Sequence, residues 1–396
     1  MKTKIFFYLF VLASLVIACV SEYKANLPYS NDQVLIVDGN IMEDTTVIFY
    51  LSKSFSMDTA VIPQESFDVN AVVTIIGGNG YESPPATYLG EGAYSMDIGK
   101  LDDNVKYGIQ IVYDGNTYQS ELSNPITTPE IDSVSWIQPE NNGAVSLRVS
   151  THDETSEEAK FFMWDYAETW EFAADYVTTT FFNPDSSTFY TITPPPFYYC
   201  WRNNVSHNYI VGSTESLKEN RIINKQIIQY DSFDERFSIL YSVMVNQKAI
   251  SKGAYDYYQN KIKLNEEMGG LFSPQPSEVN GNITCITNSS KRVMGYVEVT
   301  KNTTHQRMFV YRNQLTRPMV YSDCVVISND SVLKILGAMN ITYADFYQQG
   351  FRPAGAPDPD PRTSMHPSGW STASCTNCTA NGGSKTKPDY WPNDDQ

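Results

Sequence analysis

Histidine is scarce in this chain, and catalytic signatures are missing from it. The four histidines among 396 residues, His152, His207, His305 and His366, are scattered, and none stands at metal-ligand spacing from another. No GxSxG elbow, HExxH pair, P-loop or dinucleotide glycine fingerprint occurs. With 45 acidic residues, carboxylate pairs are available everywhere and carry no information about glycoside cleavage. The expectation is a protein that is not an enzyme, with no catalytic residues, no metal and no cofactor. Basic residues are also few, 28 against 45 acidic, for a net charge of −17. Such a surface repels phosphate backbones and lacks a polybasic face, which argues against nucleic acid as a partner and against electrostatic membrane binding. No fixed-period repeat, heptad pattern or long charge run is found.

One long apolar run is present, at the start. Lys2 and Lys4 precede an uncharged stretch from Ile5 that ends in Val16-Ile17-Ala18-Cys19. These are the three regions of a secretory signal, too short to span a bilayer comfortably. A Cys directly after a small residue is similar to the lipobox of bacterial lipoproteins, in which the Cys19 thiol would carry the lipid and become the mature N-terminus. Several acyl chains on one residue anchor stably, where one binds only marginally. After Cys19 no apolar run approaches the ~18 residues of a transmembrane helix. The chain divides into a signal peptide (1–18), a polar tether (19–30), and two domains, 31–129 and 130–396.

Aromatics are abundant, with 27 Tyr and 19 Phe, and lean the chain towards β structure. Short β-branched runs at 33–39, 47–51, 69–76, 94–98, 107–113 and 117–121 alternate with Gly- and Asn-rich turns. Asp114-Gly115-Asn116 is a hairpin turn by composition. This spacing predicts an immunoglobulin-like β-sandwich over 31–129, closed by the break Asn124-Pro125 to Pro129. The fold expected is mostly β: that sandwich, then a larger β-rich domain with one amphipathic helix.

The second domain opens with a strand pair near Ile131–Ile137 and Ala144–Val149. Phe162, Trp164, Tyr166, Trp170 and Phe172 then fall on one face at period two, interrupted by Glu168. Such a face is core in most proteins, with a ligand-stacking platform as the alternative, and a buried carboxylate within it needs a partner, ordinarily an Arg or a backbone amide. The segment 183–199, rich in Pro, Ser, Thr and aromatics, reads as a long irregular loop. Its end, Phe197, Tyr198 and Tyr199, with Trp201 just beyond, is the candidate contact surface for a ligand or partner. A strand is expected over Phe237–Val245, a helix over Ile250–Met268 ended by Gly269-Gly270, and a hairpin pair from Met294–Thr300 and Arg307–Tyr311. From Gly350 the composition is that of a disordered tail, but Trp370, Tyr390, Trp391 and Cys375-Thr376-Asn377-Cys378 imply that part of it is pinned to the body.

There are six cysteines. With Cys19 lipidated, at most two disulfides form and one thiol remains. Disulfides are the default in an exported protein, ahead of a zinc site that would recruit Cys324 and His366 or a thioredoxin-type pair. The connectivity is not readable. Cys200 and Cys324 are the natural partners for Cys375 and Cys378, with Cys285 left over.

Several stretches together resemble one family. They are Gly269-Gly270-Leu271-Phe272-Ser273-Pro274-Gln275-Pro276 with Gly281-Asn282-Ile283, Tyr199-Cys200-Trp201, Glu168-Thr169-Trp170-Glu171, and the tail from Cys375 through Gly382-Gly383-Ser384 to Lys387-Pro388-Asp389-Tyr390-Trp391. The chain is similar, from about Val34 to Trp391, to domain-of-unknown-function family 4249, exported Gram-negative lipoproteins. The resemblance carries no activity and no catalytic residues. It implies the company of TonB-dependent outer-membrane transporters, and so an accessory or ligand-capture lipoprotein, lipid-anchored at the outer membrane and facing the cell surface. The alternatives are a stand-alone adhesin or glycan- or peptide-binding protein, and a surface hydrolase.

Overall fold

In the computed structural model, residues 33–55, 64–67, 69–154, 159–267, 281–319, 322–357 and 366–393 are described. The signal segment, Cys19, the whole of the tether and Gly269–Pro276 lie outside these residues. No helix among the described residues is long and apolar enough to cross a membrane. The architecture is mostly β, as expected.

Two sheets make the first sandwich. In one, Thr87–Gly90, Ala93–Ile98, Thr45–Lys53 and Leu35–Asp38 lie side by side; the other joins Val72–Gly77, Tyr107–Tyr113 and Asn116–Ser120. Alternation decides the faces: Val47, Phe49 and Leu51 are buried while Ile48 and Tyr50 are exposed. Asp114 and Gly115 both have positive φ, 49° and 69°, which closes the expected hairpin in the turn type that matches strand twist. Buried Tyr94, in one sheet, ties the segment leading into Val72–Gly77 of the other by accepting from the Ala71 N–H at 2.8 Å and donating to the Val69 carbonyl.

The sandwich is not complete at residue 129. Ile283–Cys285 adds to the edge of one sheet beside Asn116–Ser120, and Val293–Met294 pairs in parallel with Leu35–Ile36 on the other. Val299–Thr300 pairs with Ile41–Met42, and Ile283, Val297 and Val299 enter the first core. The division at 129 is therefore corrected: the chain leaves there and returns over 282–300. The hairpin expected between Met294–Thr300 and Arg307–Tyr311 does not form, because Thr304–Tyr311 pairs with Leu240–Gln247. Period-two patterning sets which face a strand buries and says nothing of its neighbour.

The second body is another pair of sheets. Its long sheet runs Tyr199–Val205, Phe161–Ala173, Leu240–Ile250, Thr304–Tyr311, with Ile210–Ser213 beside the first half of Phe161–Ala173. Arg221–Tyr230, Val145–His152 and Ile131–Ile137 face it. Phe162, Trp164, Trp170 and Phe172 fill the core between them with Leu147, Tyr241 and Val243. The expected aromatic face is thus core. The helix Lys252–Glu267, whose first turn is held by Ser251 Oγ accepting from the Ala254 N–H, lays Ala254, Tyr257 and Tyr258 on Phe161, Val211 and Ile250.

A third layer caps the long sheet. The segment expected to be an irregular loop, 183–199, carries the second strand of a short hairpin, Thr188–Thr191 paired with Thr180–Asn183. It packs against helices Asn329–Met339 and Tyr343–Gln348 and against the strands Phe351–Pro357 and Pro367–Thr372. Phe182, Val332, Leu336, Phe346 and fully buried Trp370 form its core. Both helices carry start signals in the sequence: Ser328 accepts from the Ser331 N–H, and Thr342 and Asp345 form a reciprocal capping box.

Candidate functional site

The cap is held to the long sheet by one disulfide and by the C-terminal tail, and a second disulfide joins two segments of the cap itself. Cys200 bonds to Cys378 and Cys324 to Cys375, each pair with Cα atoms 5.7 Å apart. The Cys-Thr-Asn-Cys sequence is therefore split between two bridges and is not a redox pair. Asp175, Cys324 and Cys375 bring ligand atoms close together, but the two sulfurs are bonded to each other, so no thiolate is available for a cation. His366 packs instead on Phe189, with ring centroids 4.7 Å apart. Cys285 is buried and unbonded.

The tail follows the sheet edge. Trp201 and Ser384 exchange both backbone hydrogen bonds at 2.8 Å. Further on, Tyr390 shares a 2.7 Å hydrogen bond with Thr169 and lies under the Arg307 guanidinium, 3.6 Å from its ring centroid. Trp391 donates to Glu171 and meets Phe309 edge to face.

Glu168 was the one residue of the aromatic face that demanded explanation. Its side chain is inaccessible to solvent and accepts from Asn204 and Tyr241 at 2.8 Å, Tyr230 at 3.1 Å and Arg236 Nε at 3.2 Å. Arg236 is stacked between Trp170 and Tyr230, 4.6 and 4.3 Å from their centroids, and also pairs with Asp234. Burial works against the guanidinium charge, but Glu168, Tyr230 and Asp234 outweigh it, and the Arg236 pKa is raised. Burial first, then the Glu168 charge, pushes the Tyr230 and Tyr241 phenols well up, so both remain donors. A carboxylate's two oxygens offer about four lone pairs, and these are taken. Glu168 holds the core together and has no capacity left for a substrate.

The candidate site is a cleft of about 270 Å³ in the cap, where the hairpin, the helix Tyr343–Gln348, the strand Phe351–Pro357 and the bridged segment after Ala373 meet. Phe181, Phe182, Tyr190, Phe197 and Tyr347 supply aromatic walls; Thr178, Arg352, Thr376 and Asn377 supply polar atoms. Phe181 and Tyr190 stand opposite each other in the hairpin register and stack at 5.7 Å, with Phe197 edge-on to Phe181 at 5.8 Å. Both disulfides brace the walls, since Cys378 N–H donates to the Phe197 carbonyl and Cys375 lies beside Thr376.

The four contact candidates do not share one surface. Phe197 lines the cleft, Tyr198 packs on the second core, Tyr199 is half exposed beside Tyr198, and Trp201 sits on the edge that carries the tail. Consecutive residues entering a strand alternate faces, so proximity in sequence separates them. Arg352 and Tyr347, contributed from the C-terminal half, were missed. Only the density of aromatics over 183–199 signalled the place.

Fold and site define a multi-sheet β protein: an immunoglobulin-like sandwich, a second sandwich, and a disulfide-pinned cap with an aromatic cleft. The chain belongs to the family described as Domain of unknown function (DUF4249), whose model matches residues 20–306. The match ends before the C-terminal half of the cap, short of the stretch to Trp391 over which the resemblance was drawn. No curated protein matches the chain. Among solved structures, a segment of two fibronectin type III domains from chicken tenascin aligns with 55% of this chain and 91% of its own, at 11% identity and a TM-score of 0.14. A likeness that slight carries no argument, and the fold class rests on the sheets themselves.

Proposed function

We propose that this protein is a non-enzymatic lipoprotein of the outer membrane, anchored through Cys19 and facing the cell surface, that captures a small ligand for a TonB-dependent transporter. The cleft carries this reading: a concavity walled by aromatic rings and a few polar groups, braced by two disulfides, is the form of a recognition site. The signal segment ending in Ala18-Cys19 supports the anchor, and the family resemblance supports the transporter. A tagged pull-down from detergent-solubilised outer membranes, read by mass spectrometry, tests the partnership. A TonB-dependent barrel in stoichiometric amount is expected; recovery of the lipoprotein alone overturns the transport role. A stand-alone adhesin is the second reading, favoured by the strand Thr87–Gly90, which is a sheet edge among the described residues and on which Tyr88 and Leu89 are exposed.

A further inference from the structure

Arg352 gives the cleft a chemical preference. Its guanidinium lies 3.7 Å from the centroid of the Tyr347 ring, and Nη1 donates to the carbonyls of Tyr347 at 2.7 Å and Phe351 at 2.8 Å. These contacts fix the plane of the group. No acceptor among the described residues takes Nε or Nη2, the pair of nitrogens that forms a two-pronged donor edge. A second cation stands close by, with Lys385 Nζ 4.6 Å from the Phe197 ring centroid. Among the described residues no carboxylate lines the cleft, although the chain as a whole carries a net charge of −17. The site is thus locally positive on an acidic protein, with a planar fork set beside aromatic walls.

We propose that the cleft binds a small ring compound bearing a carboxylate. The carboxylate accepts two parallel N–H bonds from Arg352, and the ring packs on Phe181, Tyr190 and Phe197. A volume of about 270 Å³ accommodates one or two rings. The inference rests on the capture reading above and adds the ligand's chemistry to it. Two sources share that chemistry, uronic-acid sugars and aromatic carboxylic acids.

The test is titration calorimetry on the full-length lipoprotein in detergent. Glucuronic acid and a galacturonic acid disaccharide form one arm, phenylacetic and indole-3-acetic acids the other, and each acid is paired with its neutral amide. At least one acid is expected to bind ten times or more tighter than its amide, and the arm in which it lies names the source. Arg352→Lys keeps a cation but removes the fork, so it should erase most of that ratio while melting at the wild-type temperature. Because the acid–amide comparison is made on the wild-type protein, a poorly folded variant does not compromise it. Equal binding of acid and amide, or binding of neither in both arms, overturns the inference. The pull-down result is read independently, so loss of the ligand class and loss of the transporter role are distinguishable.

Discussion

The indole N–H of Trp391 donates to Glu171 Oε2 at 2.9 Å, fastening the end of the described chain to the middle strand of the long sheet. The ring is 5% exposed and packs on Phe309. A tail with the composition of a disordered segment is therefore part of the folded body. Trp391→Ala removes a buried ring and strands an acceptor, and should cost about 3–5 kcal/mol. Urea denaturation at neutral pH measures this. A loss below about 1 kcal/mol would mean that the tail is only loosely applied to the sheet.

The Glu168 network should respond strongly to removal of its centre. Glu168→Ala leaves Arg236 with Asp234 alone and deprives Asn204, Tyr230 and Tyr241 of an acceptor. Breaking a buried pair in this way is worth about 3–5 kcal/mol. Replacing Glu168 with Gln keeps the volume and one acceptor oxygen and should cost less. If Glu168→Gln is as stable as the wild-type protein, the charge of Glu168 is irrelevant to the core.

The same network makes an alkaline limit. Tyr230 and Tyr241 have folded pKa values raised above their ordinary value of 10.0 by burial and by the Glu168 charge. The unfolded chain releases these protons from about pH 10 while the folded chain retains them. Their stabilising contribution is complete below pH 10 and falls as pH rises above it. Unfolding free energy measured from pH 8 to 11 should be flat and then decline. A profile that stays level to pH 11 would contradict the burial of both phenols.

Thiol counting checks the bridges. With Cys19 acylated, Cys200 joined to Cys378 and Cys324 joined to Cys375, only Cys285 has a thiol, and it is buried. A maleimide should label nothing on the native protein and one site after unfolding without reductant. Two or more labels would break the assignment. In the chain-entropy account, bridges with sequence separations of 178 and 51 residues are worth about 5 and 4 kcal/mol at most. Reduction should therefore lower the melting temperature and loosen the cleft, whose walls both bridges support.

The anchor has its own test. Cys19→Ala should move the protein from the membrane fraction to the soluble fraction, because the lipid on Cys19 is the proposed anchor. Continued membrane retention would show that the N-terminal reading is mistaken.

Much of this molecule was legible in its residues because the relevant physics is local. The alternation in Thr45–Lys53 and in Phe161–Ala173 gave the buried faces, and Asp114-Gly115 gave a turn that needs positive φ. The tail's Trp370 and Trp391 announced burial that its Pro, Gly and Ser content denied. The helices that start at Ser328 and Thr342 were not expected, because their capping residues mark only short helices that depend on a tertiary core. The cleft was only half legible: Phe197 was singled out, while Arg352 and Tyr347 had no local mark.

The sequence by itself determined that the chain is β-rich and acidic, with five cysteines beyond Cys19. Tertiary structure alone decided that residues 282–300 complete the first sandwich, that adjacent cysteines serve different bridges, and that Arg352 meets the hairpin at 180–191. The reason is physical. Side-chain periodicity encodes which face is buried, whereas the choice of neighbour depends on packing between distant segments. The entropy of closing the intervening loop grows only logarithmically with its length, so a partner hundreds of residues away competes with an adjacent one.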